Sequence, residues 1–289
     1  MPIYLKYYFW LLLVSFVVFA LERLFSAKPK QEVFREGFGQ DLFWMVFNTQ
    51  YASWMLAILA VHVVAGLNAG ISDAGWPSLE SFQLISTWPL VVQFIVFFVL
   101  KDFIDWNIHR GLHRMPRLWE IHKLHHSIER LDWLTTFRAH WGEIVIYKVV
   151  IYVPLVILGV NEGVVFAIIV VSLLIQELIH ANLRWDWGPL RYIVNSPRLH
   201  AWHHSVEMHG ATGQNFAVNL TLWDWLFGTI YWPRDGRAPA ELGFEGIKQY
   251  PTGVWGRLWS PFMPRSRATP AQEPAPSASA EAQKKLPEL

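Results

Sequence analysis

DFIDWNIHRGLHRMPRLWEIHKLHHSIERLDWLTTFRAHWGE, residues 102–143, holds six of the chain's twelve histidines. His109 and His113 are four apart, and His122, His125 and His126 stand at i, i+3 and i+4. Both spacings bring imidazoles onto one helix face, close enough to share a metal ion. The triplet returns as His200, His203 and His204 in LHAWHHS, and His180 closes an apolar run between the two. One histidine on an amphipathic helix is ordinarily a surface or core residue. Two HxxHH groups, an HxxxH and a histidine at a hydrophobic boundary together predict a metal centre bordered by lipid.

Working outward, the first question is how many ions. A structural zinc closes with four ligands and a catalytic zinc with three from the protein, so these nine imidazoles predict two ions with four or five nitrogens each. The chain has no cysteine, which excludes thiolate zinc sites, iron–sulfur clusters, disulfides and cysteine nucleophiles. Imidazole serves Zn, Cu, Fe and Ni alike. The lipid setting favours redox iron, because unactivated C–H bonds require a metal–oxygen oxidant.

That setting is read from composition. Hydrophobic residues are 53% of the 289 and charged residues 16%, against about 25% in ordinary soluble domains. Seventeen tryptophans and nineteen phenylalanines suit a surface that meets both hydrocarbon and headgroups. A net charge of +1 carries no nucleic-acid signal.

Tyr4–Leu21 is nearly all apolar and long enough to cross a bilayer; lacking a small-residue cleavage site, it reads as a retained span. Leu42–Gly66 is a second span, softened by Asn48, Thr49 and Gln50, so that one face packs on other helices. Pro89–Leu100 begins a third that runs on into the first histidine pair. Ile144–Val160 and Val164–Ile179 are joined by Asn161-Glu162-Gly163 alone, and so form a hairpin with both outer ends on one side. Residues 23–35 and the histidine stretch are basic, whereas 67–86 and 161–163 have no Lys or Arg. The positive-inside rule then puts the histidines on the cytoplasmic side.

The expected fold is an all-α integral membrane protein with four to five transmembrane helices. Residues 1–100 form the N-terminal helices, and 101–264 a catalytic region that includes the membrane hairpin at 144–180. Residues 265–289, rich in Pro, Ala, Ser and Glu, form a disordered tail.

Five motifs in chain order carry a resemblance. They are D-x-x-D-W-x-x-H-R-x-x-H from Asp102, L-W-x-x-H-x-x-H-H-S from Leu118, T-T-x-R-x-H from Thr135, P-R-x-H-x-x-H-H-S from Pro197 and W-D-x-L-F-G-T from Trp223. The chain resembles the fatty acid hydroxylase superfamily (sterol desaturase family) over roughly Asp102–Trp232, and within it bacterial sterol desaturase-like proteins. The resemblance implies three histidine boxes binding two iron ions, with zinc as a substitute in purified protein. By motif position the implied ligands are His109, His113, His122, His125, His126, His200, His203 and His204, with His180 as a further ligand. Ala217 stands where relatives often carry Gly.

Around this set, His140, Asp105 and Gln176 are candidates for an extra ligand or for support behind one. Asp105 is placed to accept the second N–H of His109 and fix its tautomer. Asp102, Glu143 and Asp224 read equally as such partners or as solvated charges. Asn182 and Asn215 read as caps or turn residues, His62 as interfacial packing and His209 as a solvent-exposed loop residue. Lys148 reads as a snorkelling side chain, and Trp119 and Trp202 as core or channel residues.

The implied function is an O2-dependent lipid hydroxylase or desaturase acting on a sterol, fatty acyl or related substrate from the bilayer, by C–H activation at an iron–oxo species. Its site would face the cytoplasm, in a bacterial inner membrane. No dinucleotide fingerprint, haem or iron–sulfur ligand set is present, so electrons come from a separate donor: a cytochrome b5-like protein, a ferredoxin or a diffusible reductant. Arg110, Arg114, Arg117 and Lys123 offer that donor a basic face, or serve membrane orientation alone. The rival readings are a non-catalytic zinc-stabilised membrane protein and, less favoured, a metal transporter, whose ligands would lie within the spans.

Overall fold

A computed structural model describes residues 3–208, 213–233 and 235–263. His209 and the tail expected to be disordered lie outside the described residues. Among the described residues the fold is helical, with three isolated bridges and no strand. The longer helices are α1 (Ile3–Leu24), α2 (Phe38–Val46), α3 (Ser53–Asp73), α4 (Leu90–Arg114), α5 (Pro116–His126), α6 (Trp141–Leu158) and α7 (Glu162–His180). Three short ones follow: α8 (Pro197–His203), α9 (Leu222–Leu226) and α10 (Val254–Trp259).

Among the described residues, four segments are long and apolar enough to cross a membrane: Lys6–Leu24, Phe38–Asp73, Trp141–Leu158 and Glu162–His180. The expected third span is absent from this set. Helix α4 has 25 residues, but its apolar part stops before Lys101, and eleven residues rise only about 16 Å. The second span is also built differently from expectation. Residues 47–52 form a π-helical turn between α2 and α3, where the buried Asn48 side chain donates to the carbonyls of Phe137 and Ala139. Helix α3 runs on to Asp73, beyond the expected end of the second span at Gly66. Asn68 then gathers the turn that follows, accepting from Leu79 N and donating to Glu80.

The spans expose large apolar side chains outward: Phe16 is 69% exposed, Trp54 65% and Val61 63%. In water such surface costs about 25 cal/mol per Å², so a face this apolar belongs in hydrocarbon. Inward, Val14 and Val18 of α1 pack with Ala181 and Leu183 just past α7 and with Leu173 and Leu178 on it, and α4 meets α7 through Phe97 against Val164 and Ile168.

Two ends of the bundle can be told apart. At one end, Leu84 N and Ile85 N donate to the carbonyls of Ile157 and Leu158, and Gln93 Oε1 accepts from Asn161 N. That end gathers the two loops without Lys or Arg. At the other, Ser26 bridges Leu183, and Asn182 binds the Lys28 amide. The hairpin has the expected form: α6 stops at Gly159 in the left-handed region (φ 64°), and the Asn161 side chain caps α7.

Pro116 sets up the site. It forces Met115 into extended backbone (φ −96°, ψ 115°), so α4 ends and α5 starts at an angle with Pro116 in its first turn. The HxxxH of α4 and the HxxHH of α5 thereby face each other instead of following one cylinder. The described residues of 183–263 are mostly irregular chain with short helices.

Candidate metal centre

The eight box histidines and His180 all converge, in two groups. His109, His113, His122, His126 and His203 form one; His125, His180, His200 and His204 form the other, with the offered nitrogens of each group within 4.8 Å of one another. The groups abut, the His126 and His204 rings lying 4.6 Å apart. Helices α4, α5 and α8 supply the group of five, and α5, α7 and α8 the group of four. On α5 and α8 the i and i+4 members of each HxxHH triplet share one face while the i+3 member turns aside, and this splits the triplets. His122 and His126 thus enter one group and His125 the other; His200 and His204 enter the second group and His203 the first.

Hydrogen bonds fix several tautomers. His109 Nδ1 donates to Phe216 O (2.8 Å), His125 Nδ1 to Arg138 O (3.2 Å), His180 Nδ1 to Gln176 O (2.8 Å) and His203 Nδ1 to Gln214 O (2.9 Å). His122 Nδ1 donates to Glu143 Oε2 at 3.0 Å. A carbonyl or carboxylate only accepts, so each of these Nδ1 atoms carries the hydrogen and each Nε2 presents a lone pair. Yet His109 Nε2 lies 3.2 Å from His122 Nε2, and His125 Nε2 lies 3.4 Å from His180 Nε2. In each group, then, acceptor faces acceptor with no proton between them. That arrangement is repulsive unless a cation lies where the lone pairs converge, and the donor set therefore fits a metal ion. Burial holds His125, His200 and His204 neutral, pushing each well below the usual imidazole value, with neighbouring imidazoles adding to the effect.

The carboxylates sort themselves. Glu143, on the first turn of α6, is the partner of His122. Asp105 is not the partner of His109, because Phe216 O takes that N–H; Asp105 instead binds Lys101 Nζ at 2.5 Å, one turn back on α4. Asp102 accepts from Asn219 N and Nδ2, Leu220 N and Trp223 Nε1. Asp224 accepts from Trp106 Nε1, Phe216 N, Ala217 N and Thr229 Oγ1. Together they latch residues 216–224 onto α4 and so aim the Phe216 carbonyl at His109. Burial raises the Asp224 carboxyl to about 6 despite these donors.

His140 is not among the converging nitrogens. Its Nδ1 accepts from Gly142 N, capping α6, and its Nε2 donates to Leu258 O at 3.0 Å. Gln176 does not offer its side chain either; Nε2 donates to Val218 O, and its backbone carbonyl is what holds His180. Asn182 ties Ser26 and Lys28, and Asn215 is a left-handed turn residue (φ 58°) that binds Tyr231. His62 lies on α3 with Nδ1 on Ile58 O. Trp119 packs at a tilt on His113 and His126, 5.1 and 5.3 Å between centroids, and Trp202 is buried against Tyr231.

A buried ion network has no counterpart among the residues singled out by sequence. Arg35 binds Asp132 (2.6 and 2.8 Å) and Asp41 (2.7 Å), while Arg138 binds Asp41 (2.5 and 2.8 Å) and donates to Ser127 O. It clamps both ends of the 127–138 segment, including the Arg138 carbonyl behind His125. Only Arg138, inside a motif, carried any signal of it.

Fold and site together define a helical protein with lipid-facing spans and an imidazole-rich metal centre at one end of them. A fatty acid hydroxylase model matches residues 94–229, and through that region the chain belongs to the fatty acid hydroxylase family. The chain is 35% identical to ornithine lipid hydroxylase OlsE of Rhizobium tropici over 182 residues, 62% of this chain and 53% of that one. It is 35% identical to alkylglycerol monooxygenase of Danio rerio over 222 residues, 74% of this chain and 48% of that one. Very-long-chain aldehyde decarbonylase GL1-11 of Oryza sativa is 27% identical over 195 residues, 65% of this chain and 72% of that one. The chain thus spans about half the length of the first two. No solved structure matches it.

Proposed function

We propose that the protein is a membrane-embedded oxidoreductase that uses O2 and two metal ions, iron by preference, to hydroxylate or desaturate a lipid. The observation that carries this reading is the pair of facing lone-pair sets, one in each group, at one end of lipid-facing helices. The hydroxylase and monooxygenase relatives support it. In this reading the nine converging histidines are its ligands, and the positive-inside rule applied to the basic segments supports a cytoplasmic-side site in a bacterial inner membrane.

Bound there, the metals would supply the reduction of O2 and the oxidation of a C–H bond. The chain's own part is positional. Phe216, Arg138, Gln176 and Gln214 hold four imidazoles in the Nδ1–H tautomer through their carbonyls. Glu143 draws on the His122 proton and makes that nitrogen donor more basic. The packed helices exclude water from the site and present an apolar flank along which a lipid approaches. Electrons come from a separate protein or a diffusible reductant. On the expected basic face, Lys123 already pairs with Glu120 and Arg110 lies over Trp106, which leaves Arg114 and Arg117 as the cations offered to a donor or to anionic lipid.

Four imidazoles is also the number that closes a structural zinc site, so a zinc staple is the second reading for the group of four. One experiment separates them. Protein purified without chelator is assayed for metal, then for O2 uptake on a bilayer lipid extract after reduction by dithionite. Two irons per chain with lipid-dependent O2 uptake is the expected result. Two zincs and no uptake after exchange into iron would overturn the oxygenase.

A further inference from the structure

Beside the group of four lies a cavity of about 480 Å³ that the metal centre does not use. Ala181, next to His180, and Ala201, next to His200, form part of its wall. Lys28, Arg184, Arg198 and Arg237 line it as well, and none of its lining residues is acidic. Arg198 and Arg237 have carboxylates behind them, Asp186 for the first and Glu207 and Asp235 for the second. Lys28 and Arg184 form no ion pair among the described residues, and Arg184 spends Nε and Nη2 on the Ala27 carbonyl. That bond, and the seat of Arg198 over the Trp232 ring at 4.6 Å, hold two guanidinium groups in place before any ligand arrives. A concave site lined by four cations, two of them held in place and two without an ion-pair partner, and by no acidic side chain is built for an anion.

The surroundings indicate where the anion comes from. The cavity sits where α1 and α7 end, between Ala27 and Leu183. Leu24 and Phe25 beside it are 74% and 51% exposed, and Phe25 packs on Trp185, which packs on Trp187. Aromatic side chains at the ends of spans mark the headgroup level of a bilayer.

We propose that this cavity is a headgroup pocket for an anionic lipid, taking its phosphate or carboxylate while the acyl chains lie along α1 and α7. The proposal rests on the reading of those helices as bilayer spans. It makes an anion-bearing lipid the class that reaches the group of four from this side.

Native mass spectrometry of the purified, metal-loaded protein in detergent tests it, with phosphatidylglycerol and phosphatidylcholine added at equal concentration. Phosphatidylglycerol adducts should be retained at least tenfold better, and Lys28→Gln/Arg184→Gln should remove that preference while leaving phosphatidylcholine retention and metal content unchanged. Lys28→Gln alone, at an exposed side chain, should remove part of it and guards against misfolding of the double variant. Inorganic phosphate should compete with the phosphatidylglycerol adduct. Equal retention of the two lipids, or a preference that survives both variants, would overturn the proposal. Phosphate binding without phosphatidylglycerol binding would equally overturn it and leave a free-anion site. Since metal content and O2 uptake are read separately, failure here leaves the oxygenase reading intact, and failure of that reading leaves this one.

Discussion

The two histidine groups share α5 and the α8 segment, take their remaining ligand candidates from α4 and α7 respectively, and differ in what stands behind them. In the group of five, His122 leans on a carboxylate, and His109 and His203 on carbonyls of the 214–216 segment. In the group of four, His125 and His180 lean on carbonyls, while the buried Nδ1 atoms of His200 and His204 have no partner. The first group thus has one more nitrogen and an anionic backing, and the second is neutral throughout. In the proposed reading, a metal in the first would be held with a donor to spare, and a metal in the second would depend on every ligand it has.

Single ligand deletions should expose that asymmetry and give the largest effects. His200→Ala leaves three imidazoles and should release its ion, so that metal analysis falls from two equivalents toward one. His203→Ala leaves four and should keep most of its metal. Both should lose activity by more than the ~10–100-fold that a missing outer partner costs, whereas His62→Ala should keep it. Equal metal loss from the two variants would break the comparison.

Acid should act next most strongly, and on the neutral group. Burial lowers His125, His200 and His204 in the fold, so below an unfolded value of about 6.5 the unfolded chain binds more protons than the native one. Stability is therefore complete above that pH and is lost as pH falls below it, toward the lower folded values. Metal release follows the same direction, since only neutral imidazole ligates. Thermal midpoint and metal content measured together should hold at about pH 7 and decline together below about pH 6.5. A profile flat to about pH 4 would contradict the sign.

The histidines were legible because metal binding needs a residue type at a helical spacing, and both can be read along a chain. The grouping was not. It depends on the turn at Pro116, which aims α5 across α4, and on the side from which α8 arrives. Nor could the partners be read, because carbonyls such as those of Phe216 and Gln176 are present at every residue and carry no letter. Asp105 shows the same limit: four residues before His109 it stands at the right spacing, but Lys101, one turn the other way, competes for it and wins. Glu143 lies 21 residues from His122 and reaches it only because the His140 cap sets where α6 begins.

The Arg35–Asp41–Arg138–Asp132 network supports the group of four from outside, through the Arg138 carbonyl. Asp41→Asn would leave two buried guanidinium groups short of charge. Breaking a buried pair costs about 3–5 kcal/mol, and a loss of that size should appear in denaturant unfolding in detergent. If the loss falls below about 1 kcal/mol, solvent reaches the network and it does not brace the site.

Glu143→Gln tests the other backing. The amide oxygen still accepts from His122 Nδ1, so geometry survives while the negative charge goes. The expected loss is about 10–100-fold in metal affinity or activity, confined to one equivalent of metal. Loss of both equivalents would mean that Glu143 supports the shared α5 rather than one ion.

The smallest effect should come from His140, the one motif histidine that points away from both groups. Its two nitrogens do separate structural tasks, one capping α6 through Gly142 N and one reaching Leu258 O in the C-terminal segment. Asparagine at this position keeps a cap acceptor, which is among the best choices for an N-cap, but is too short to do both jobs. His140→Asn should therefore cost about 1 kcal/mol, the net value of one hydrogen bond, with metal content unchanged. His140→Ala gives up the cap as well and should cost about 1 kcal/mol more. Were His140 a ligand, the order would change in kind: both substitutions would release metal equally, and the asparagine would rescue nothing. Metal analysis of the two variants beside their unfolding midpoints decides between a histidine that places α6, and with it Glu143, and a tenth member of the centre.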